Sequence, residues 1–482
     1  MYRIYDAHRE RLPYVRIKRI ELTNFKGVRH GAIDFNCAKE FVPFNTKSDI
    51  LGLYGQNGSG KSSLVEAIDL VKGIISGASI SPYYTRFIDV LAGFSVISIE
   101  FDFQYRNGDV VSVSYEAKLE VKEKCDNHFD DESNFAINRK DDADKSYLAI
   151  SDEIIKTNLY ADGSLGRIHT IIDTKKNLLC PDSLVSYYYD KTDSNLLEEL
   201  GYLKRSLYND SQSFVFNHAV SESLNLLNTE EASSRYYEIL AELKEFASFY
   251  LYVTGSRAPG SVSYRTGVPV YVTDQYKPFM LGSKDNIIPD KFFHSTERTI
   301  SMLNIVLESL IPDLRLKINA TPTKDKKGRD AKYVQIMAVR GEREIPLDYE
   351  SDGIIKLVTM LGAFILAFNQ GSTTLVVDEF DSGVFEYLLG ELLEIFESSG
   401  KGQLIFTSHN LRPLEVLDKK FIRFTTTDAD NRYYKLKNVG NSNNLRDLYL
   451  REVQFGNQDV ELYKKTKNIR ITQALIKAEK EE

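Results

Sequence analysis

The sequence predicts an α/β fold built on buried parallel strands around a phosphate site, and three observations predict it. Gly55-Gln56-Asn57-Gly58-Ser59-Gly60-Lys61-Ser62 matches G-x-x-x-x-G-K-[ST] in full, between an apolar run at 50–54 and a helical pattern at 63–68. Residues 374–377 form an apolar, β-branched run ending in Asp378-Glu379, the composition of a strand covered on both faces. Residues 404–406 repeat that pattern and end in Thr407-Ser408-His409-Asn410. The first motif is far from the other two in the chain, so the fold has to bring the two ends together.

Each element has a chemical reason. The glycines at 55, 58 and 60 let backbone N–H groups converge on phosphate oxygens, and the helix behind them offers its positive end. Gly55, Gln56, Asn57, Gly58, Ser59, Gly60, Lys61, Ser62 and Ser63 are therefore the nucleotide-binding candidates. Lys61 is expected to reach the β/γ-phosphates of ATP, and the Ser62 hydroxyl to ligate Mg²⁺. Asp378 is placed to hold Mg²⁺ through water. Glu379, beside it, is the candidate to orient and polarise the attacking water; the competing reading of the pair is an acidic surface turn.

Glu350-Ser351-Asp352-Gly353 precedes a long apolar stretch at 354–368. Ser351 or Asp352 suits an N-cap, with free N–H groups beyond it. The stretch contains Lys356 and falls short of the ~20 residues that span a bilayer, so it reads as a core helix.

Around these motifs the pattern is mixed. Residues 95–101 and 110–119 alternate, and Asn107-Gly108 between them is a two-residue hairpin signal. Residues 123–147 are charge-rich and read as a loop, and 151–176 as further strands. Helical periodicity dominates 195–208, 229–252 and 291–310; residues 253–290 are rich in Gly, Pro and Tyr and read as an irregular connection. Residues 314–318 and 333–336 alternate as strands, with Lys324, Lys326, Lys327 and Arg329 at the hairpin tip between them. The expected organisation is 1–122 and 311–430 as two halves of one head, 123–310 as an insertion and 431–482 as an extension.

The chain has 482 residues, a formal net charge of −8 and scattered cysteines (Cys37, Cys125, Cys180) with no C-x-x-C spacing. That suits a reducing, cytoplasmic setting and argues against zinc. No apolar leader or membrane-spanning run is read. The acidic balance gives no reason to expect duplex binding by bulk charge. Two local basic patches, the hairpin tip and Arg9, Arg11, Arg16, Lys18, Arg19, Lys26 and Arg29, could still bind an anionic partner such as nucleic acid, though solvated surface charge is the reading preferred for each. Tyr83-Tyr84 and Tyr187-Tyr188-Tyr189 read as core or interface packing ahead of base stacking.

Residues 16–27, an alternating strand followed by Asn24-Phe25-Lys26-Gly27, resemble the N-terminal strand of RecF/SMC/Rad50-like ATPases. Together with the P-loop, Ser351-Asp352-Gly353, Asp378-Glu379 and Ser408-His409, the chain is similar to standalone ABC-type ATPases of the OLD group (AAA_15/AAA_21-like). These include sensor subunits of two-gene antiphage systems of PARIS and Septu type. The resemblance covers about 14–120 and 310–455. It implies an ABC-type P-loop ATPase head with an antiparallel β lobe and an inserted helical subdomain, and ATP sandwiched between two protomers. It also implies a switch role for His409, contact of the Ser351 turn with the partner copy's nucleotide, and an interface position for Asp381. The Ser-x-Gly match departs from the full five-residue signature. No Q-loop glutamine carries over clearly; Gln212 is the candidate. The implied partners are a second copy, a separate effector such as a nuclease toxin, and a phage-encoded trigger. The alternative is a RecF/SMC-like ATPase that clamps DNA in repair or chromosome maintenance. Asp428-Ala429-Asp430 offers the Asp-x-Asp of a TOPRIM nuclease, but too little chain follows Asn410 for that domain.

Overall fold

The computed structural model describes residues 13–35, 48–105, 109–123, 146–161, 164–180, 196–225, 234–254, 268–270, 279–281, 286–436, 444–455, 460–464 and 467–479. Asn107-Gly108, the 123–147 loop but for its ends, Tyr187 to Tyr189, Arg9, Arg11, Cys37 and Cys125 lie outside the described residues.

Two six-stranded sheets carry the fold. The first is antiparallel, in the order β2 (Val28–Asp34), β1 (Tyr14–Phe25), β4 (Phe94–Gln104), β5 (Val110–Glu123), β6 (Ser146–Ala161) and β7 (Ser164–Asp173). Along most of β4 and β5 buried residues alternate with half-buried ones, so one face is the more deeply covered. The second is the central sheet. Its order is β18 (Tyr433–Tyr434), β17 (Ile422–Thr425), β3 (Asp49–Tyr54), β16 (Gln403–Thr407), β15 (Thr374–Val377) and β8 (Leu251–Thr254). All but the β17–β18 pairing are parallel. β3, β8, β15, β16 and β17 are buried along their whole length, because helices or the other sheet cover both faces.

Strand alternation splits the core in two. Leu51 and Leu53 of β3 face the P-loop helix α1 (Lys61–Ile75) and the antiparallel sheet. Ile50 and Tyr54, one residue out of phase, face helices α6 (Asp352–Asn369) and α7 (Glu386–Ser399). A third cluster packs α5 (Asp290–Leu310) on a four-stranded sheet of β11 (Asn286–Pro289), β12 (Arg315–Lys324), β13 (Asp330–Arg340) and β14 (Arg343–Pro346). The two large sheets are tied by Gln403. Its buried side chain accepts from Ile17 N (3.1 Å) and donates to Ile17 O (2.8 Å) and Asp49 Oδ2 (2.7 Å).

Helices α2 (Leu196–Asn209), α3 (His218–Asn225) and α4 (Ser234–Glu245) form the helical part of the inserted region. Two boundaries differ from expectation. The helical pattern at 229–252 ends early, and Leu251–Thr254 is instead an edge strand of the central sheet. A short buried run of Leu, Tyr, Val and Thr has no period that separates it from a helix end. The 123–310 segment therefore contributes to the head itself. The central sheet also continues past 430 through Tyr433–Tyr434, because β18 hairpins back on β17.

Helix α6 is long and apolar enough to cross a membrane, with 18 residues and a mean hydropathy of 1.5, yet 56% of it is buried inside the protein. It is a core helix of both the second and third clusters. Tyr83 and Tyr84 pack edge-on with Phe87 beside α1, and Tyr84 donates to Asp69 (2.8 Å), so this pair is core.

Candidate active site

The register of the central sheet assembles the site. Leu53 pairs with Thr407, Phe406 with Val377, and Val377 with Thr254, so β3, β16, β15 and β8 end on one edge. Neighbouring strands lie about 4.8 Å apart. The P-loop, the Ser408-His409 turn and Asp378-Glu379 leave the sheet side by side there, where open parallel sheets bind their ligands.

On the P-loop, Lys61 is buried at the first position of α1, and its Nζ donates to Gly55 O (2.8 Å) and Gln56 O (3.0 Å). Burial lowers the Lys61 pKa, and Asp378, Glu379 and Asp381 oppose that shift. The two distant motifs are thus electrostatic neighbours. Asn57 and Gly58 are exposed and Ser62 is partly so, open to a ligand, while Ser63 is buried. Ser59 and Gln56 have other work. The Ser59 hydroxyl donates to Gln56 O (2.5 Å) and meets Thr425 Oγ1, which shapes the loop from within. Gln56 Oε1 accepts from Lys464 N (3.0 Å), fastening the C-terminal segment over the loop. Thr425 donates to Tyr54 O (3.2 Å) and Tyr433 to Gly60 O (3.1 Å), so the β17–β18 hairpin buttresses the P-loop.

On β15, Asp378 is buried and its Oδ1 accepts from Thr407 Oγ1 (2.6 Å). The same Thr407 hydroxyl accepts from Glu379 N (2.7 Å). Glu379 itself is exposed at the edge and adopts φ 48°, a left-handed conformation that costs a non-glycine residue about 1 kcal/mol or more. Its carbonyl accepts from Lys356 Nζ and from Ser382 N (2.9 Å). Thr407 and Lys356 were not singled out from the sequence as site residues. The readable signals were the strand-end position of Thr407 and a lone lysine in an apolar helix.

His409 is exposed, and its backbone N–H and that of Asn410 donate to Asp381 Oδ2 (3.1 and 2.9 Å). Asp381 was expected at an interface between protomers. Within the chain its carboxylate holds the His409 turn, with Oδ1 buried and without a hydrogen-bond partner among the described residues.

Ser351 caps α6 by accepting from Ile354 N (3.4 Å), and Ser351 and Asp352 are exposed. Gly353 is required by packing: a Cβ there would lie 2.0 Å from Gly383 O. Gly383 has φ 74°, and a Cβ on it would lie 2.6 Å from Gly353 Cα. The start of α6 is therefore pressed backbone to backbone against the turn after Asp381. Deeper in α6, Lys356 is buried among the same acidic residues. Burial pushes its pKa down to about 8, against the pull of Asp381, Glu379 and Asp378.

Gln212 does not join this site. Its Oε1 accepts from Asn217 (2.7 Å), and Ser211 O accepts from Ile80 N just past the C-terminal end of α1. That end is roughly 20 Å from the P-loop, by the ~1.5 Å rise of a helix. The loop is anchored there by buried Glu153, which accepts from Tyr115, Ser213 and Phe214 N (each 2.6 Å). The strand that does flank β15 is β8, whose Thr254 O accepts from Asp378 N (3.0 Å).

Asp428-Ala429-Asp430 forms the turn between β17 and β18; Ala429 O accepts from Arg29 N and His30 N, and Asp430 pairs with Arg29 (2.9 Å). Asp-x-Asp here is turn chemistry. Among the described residues no cluster of three or more His, Cys, Asp or Glu makes a metal cage.

A family model described as an AAA domain (AAA_23) matches residues 19–248, from β1 through the P-loop to the end of the inserted helices. No curated protein matches the chain in sequence. The solved structures that resemble it include these three. The Smc head domain of Pyrococcus furiosus, solved bound to the C-terminal domain of ScpA, is 14% identical, with 88% of this chain and 96% of that one covered and a TM-score of 0.38. The SMC head of Thermotoga maritima is 14% identical, with 88% and 99% covered and a TM-score of 0.30. The recombination mediator RecF is 12% identical, with 89% and 100% covered and a TM-score of 0.34. Likeness at that level is loose, and the architecture rests on the strand order and register above. The fold is α/β, with a P-loop at the edge of a mostly parallel central sheet and a second, antiparallel sheet beside it, and over residues 19–248 the chain is similar to AAA domains.

Proposed function

We propose that the chain hydrolyses ATP at a site completed by a second copy of itself, and that this cycle controls a separate effector protein. One observation carries the ATPase reading: Lys61, Asp378 and Glu379 share one edge of the central sheet, close enough that the carboxylates act on the lysine. Lys61 and the loop N–H groups would hold the phosphates. Glu379, exposed beside Asp378, would orient water in line with the γ-phosphorus and take its proton. His409, exposed on the turn that Asp381 holds, would reach the γ-phosphate. Ser62 and Asp378 fit Mg²⁺, which takes hard oxygen ligands and leans on one or two protein groups plus phosphates and water. When bound, Mg²⁺ would neutralise charge developing on the phosphates.

The self-association reading is supported by the exposed start of α6. Tyr349, 78% exposed, precedes Ser351, and Phe385, 69% exposed, follows Gly383, so two large apolar side chains flank the Gly353–Gly383 contact. The Ser351–Gly353 turn would complete the partner copy's nucleotide site. Control of an effector, with a nuclease toxin and a phage-borne trigger as the partners, rests on the resemblance to antiphage ATPases. The DNA-clamp alternative gains little from the basic patches. Lys18, Arg19, Lys26 and Arg29 are paired with Asp102, Asp34, Glu66 and Asp430, and the hairpin tip pairs Lys324 with Asp330 and Arg329 with Asp325.

Steady-state hydrolysis and light scattering on Glu379→Gln test the proposal. Turnover is expected to fall by about 100-fold or more, with ATP still bound and ATP-dependent oligomers accumulating. Unchanged turnover overturns the role of Glu379, and a monomer under saturating ATP overturns the composite site.

A further inference from the structure

Lys356 lies on α6, five residues past the N-cap Ser351, and is 2% exposed. Its Nζ reaches out of the apolar helix to the carbonyl of Glu379. The N–H of the same glutamate is held by Thr407 Oγ1 (2.7 Å). Two side chains from two different elements thus bracket the backbone of a residue whose φ is 48°. One turn earlier, α6 is locked to the same loop by the Gly353–Gly383 contact, where neither residue has room for a Cβ. Helix α6 and the loop after β15 are therefore joined at two points, a steric one at Gly383 and a polar one at the Glu379 carbonyl. A lysine placed only to fill the core would carry an ammonium at a desolvation cost that an apolar side chain avoids.

We propose that Lys356 is a positioning residue that couples the N-terminal turn of α6 to the Glu379 backbone, so that engagement of Ser351–Gly353 by a second copy of the chain sets the aim of the Glu379 carboxylate. This deepens the ATPase reading above and rests on it. The polar link carries the alignment, because a hydrogen bond to a carbonyl has a direction that the glycine contact lacks.

The test uses the full chain with Lys356→Met, which keeps the length and loses the donor, and Lys356→Gln in parallel, so that one variant failing to fold leaves the comparison standing. Misplacing a reacting group by about an ångström costs on the order of 100-fold. Turnover is expected to drop by about 10- to 100-fold while the Kd for ATP stays within about twofold. Hydrogen exchange read by mass spectrometry should be faster over 378–384 and unchanged over 55–62. Equal turnover to the parent, a Kd that weakens in step with turnover, or unchanged exchange over 378–384 overturns the proposal. If the parent chain hydrolyses no ATP, the ATPase reading falls by itself, and exchange over 378–384 alone then decides whether Lys356 positions that segment.

Discussion

Two buried lysines face the same three carboxylates from opposite halves of the chain, and they were not equally visible in the sequence. Lys61 opens α1, lies along the P-loop carbonyls, and has Asp378, Glu379 and Asp381 as its acidic neighbours. Lys356 sits in the second turn of α6, donates to Glu379 O, and has the same three acids around it. Burial lowers the pKa of both. The difference is in what each holds. Lys61 belongs to a contiguous loop whose geometry is local, and it is aimed at a ligand. Lys356 belongs to no motif, and it is aimed at the backbone of another element. A phosphate-binding lysine is recognisable from eight neighbouring residues; a positioning lysine becomes recognisable only when two helices and three strands are in place.

The largest test of this contrast is Lys61→Ala. It should weaken ATP binding at least tenfold in a fluorescence titration, since it removes a charge-assisted contact worth about 1.5–3 kcal/mol. Unchanged affinity would remove Lys61 from the phosphate site and with it one side of the comparison. Gly353→Ala is the steric counterpart on α6. A Cβ 2.0 Å from Gly383 O forces the helix start to shift, and overpacking of this kind costs about 1–3 kcal/mol. Calorimetry should show a lower Tm, and scattering should show fewer ATP-dependent oligomers. A parent-like Tm would mean the contact is slack. Thr407→Val removes the hydroxyl shared by Asp378 and Glu379 N. It should cost about 1–2 kcal/mol in denaturant unfolding and reduce turnover more than ATP affinity.

The smallest expected effect is a pH dependence away from the edge. Asp69, buried on α1, accepts from Tyr84, and burial raises its pKa from the ordinary 3.8 to about 6. Between those values the folded chain holds a proton that the unfolded chain has released. Its contribution to stability is therefore full below about 3.8 and is lost as pH rises through about 6. Asp69→Asn should flatten the melting temperature across that window relative to the parent. An identical slope in both proteins would assign the pH dependence to other groups.

Legibility followed locality. The strand at 50–54, the helix behind it, the alternating strands at 95–101 and 110–119 and the Asp378-Glu379 strand end all appear where their periods put them. Where two structures share one pattern, the reading slipped. Leu251–Thr254 continued a helical period and proved to be the strand beside β15. Gln212 had the right residue type in a plausible loop, yet Glu153 anchors that loop at the far end of α1. Asp381 has an ordinary acidic signature, and only the fold shows it gripping the turn of His409. The basic run at Arg16 to Arg29 looked like a patch, and its described members are spent on partners in β2, β4, α1, the segment before β16 and the β17–β18 turn.

The sequence by itself determined the phosphate loop, the acidic strand end, the capped start of α6 and the α/β class, because each depends on residues adjacent in the chain and on helix or strand period. Tertiary structure decided which strands lie beside which, that a hairpin at 422–434 braces the P-loop, that Thr407 ties Asp378 to Glu379, and that Lys356 holds the Glu379 carbonyl. The physical reason is common to all four. A hydrogen bond between residues far apart in the chain leaves no period and no spacing, and it exists only once the central sheet has set both partners on the same edge.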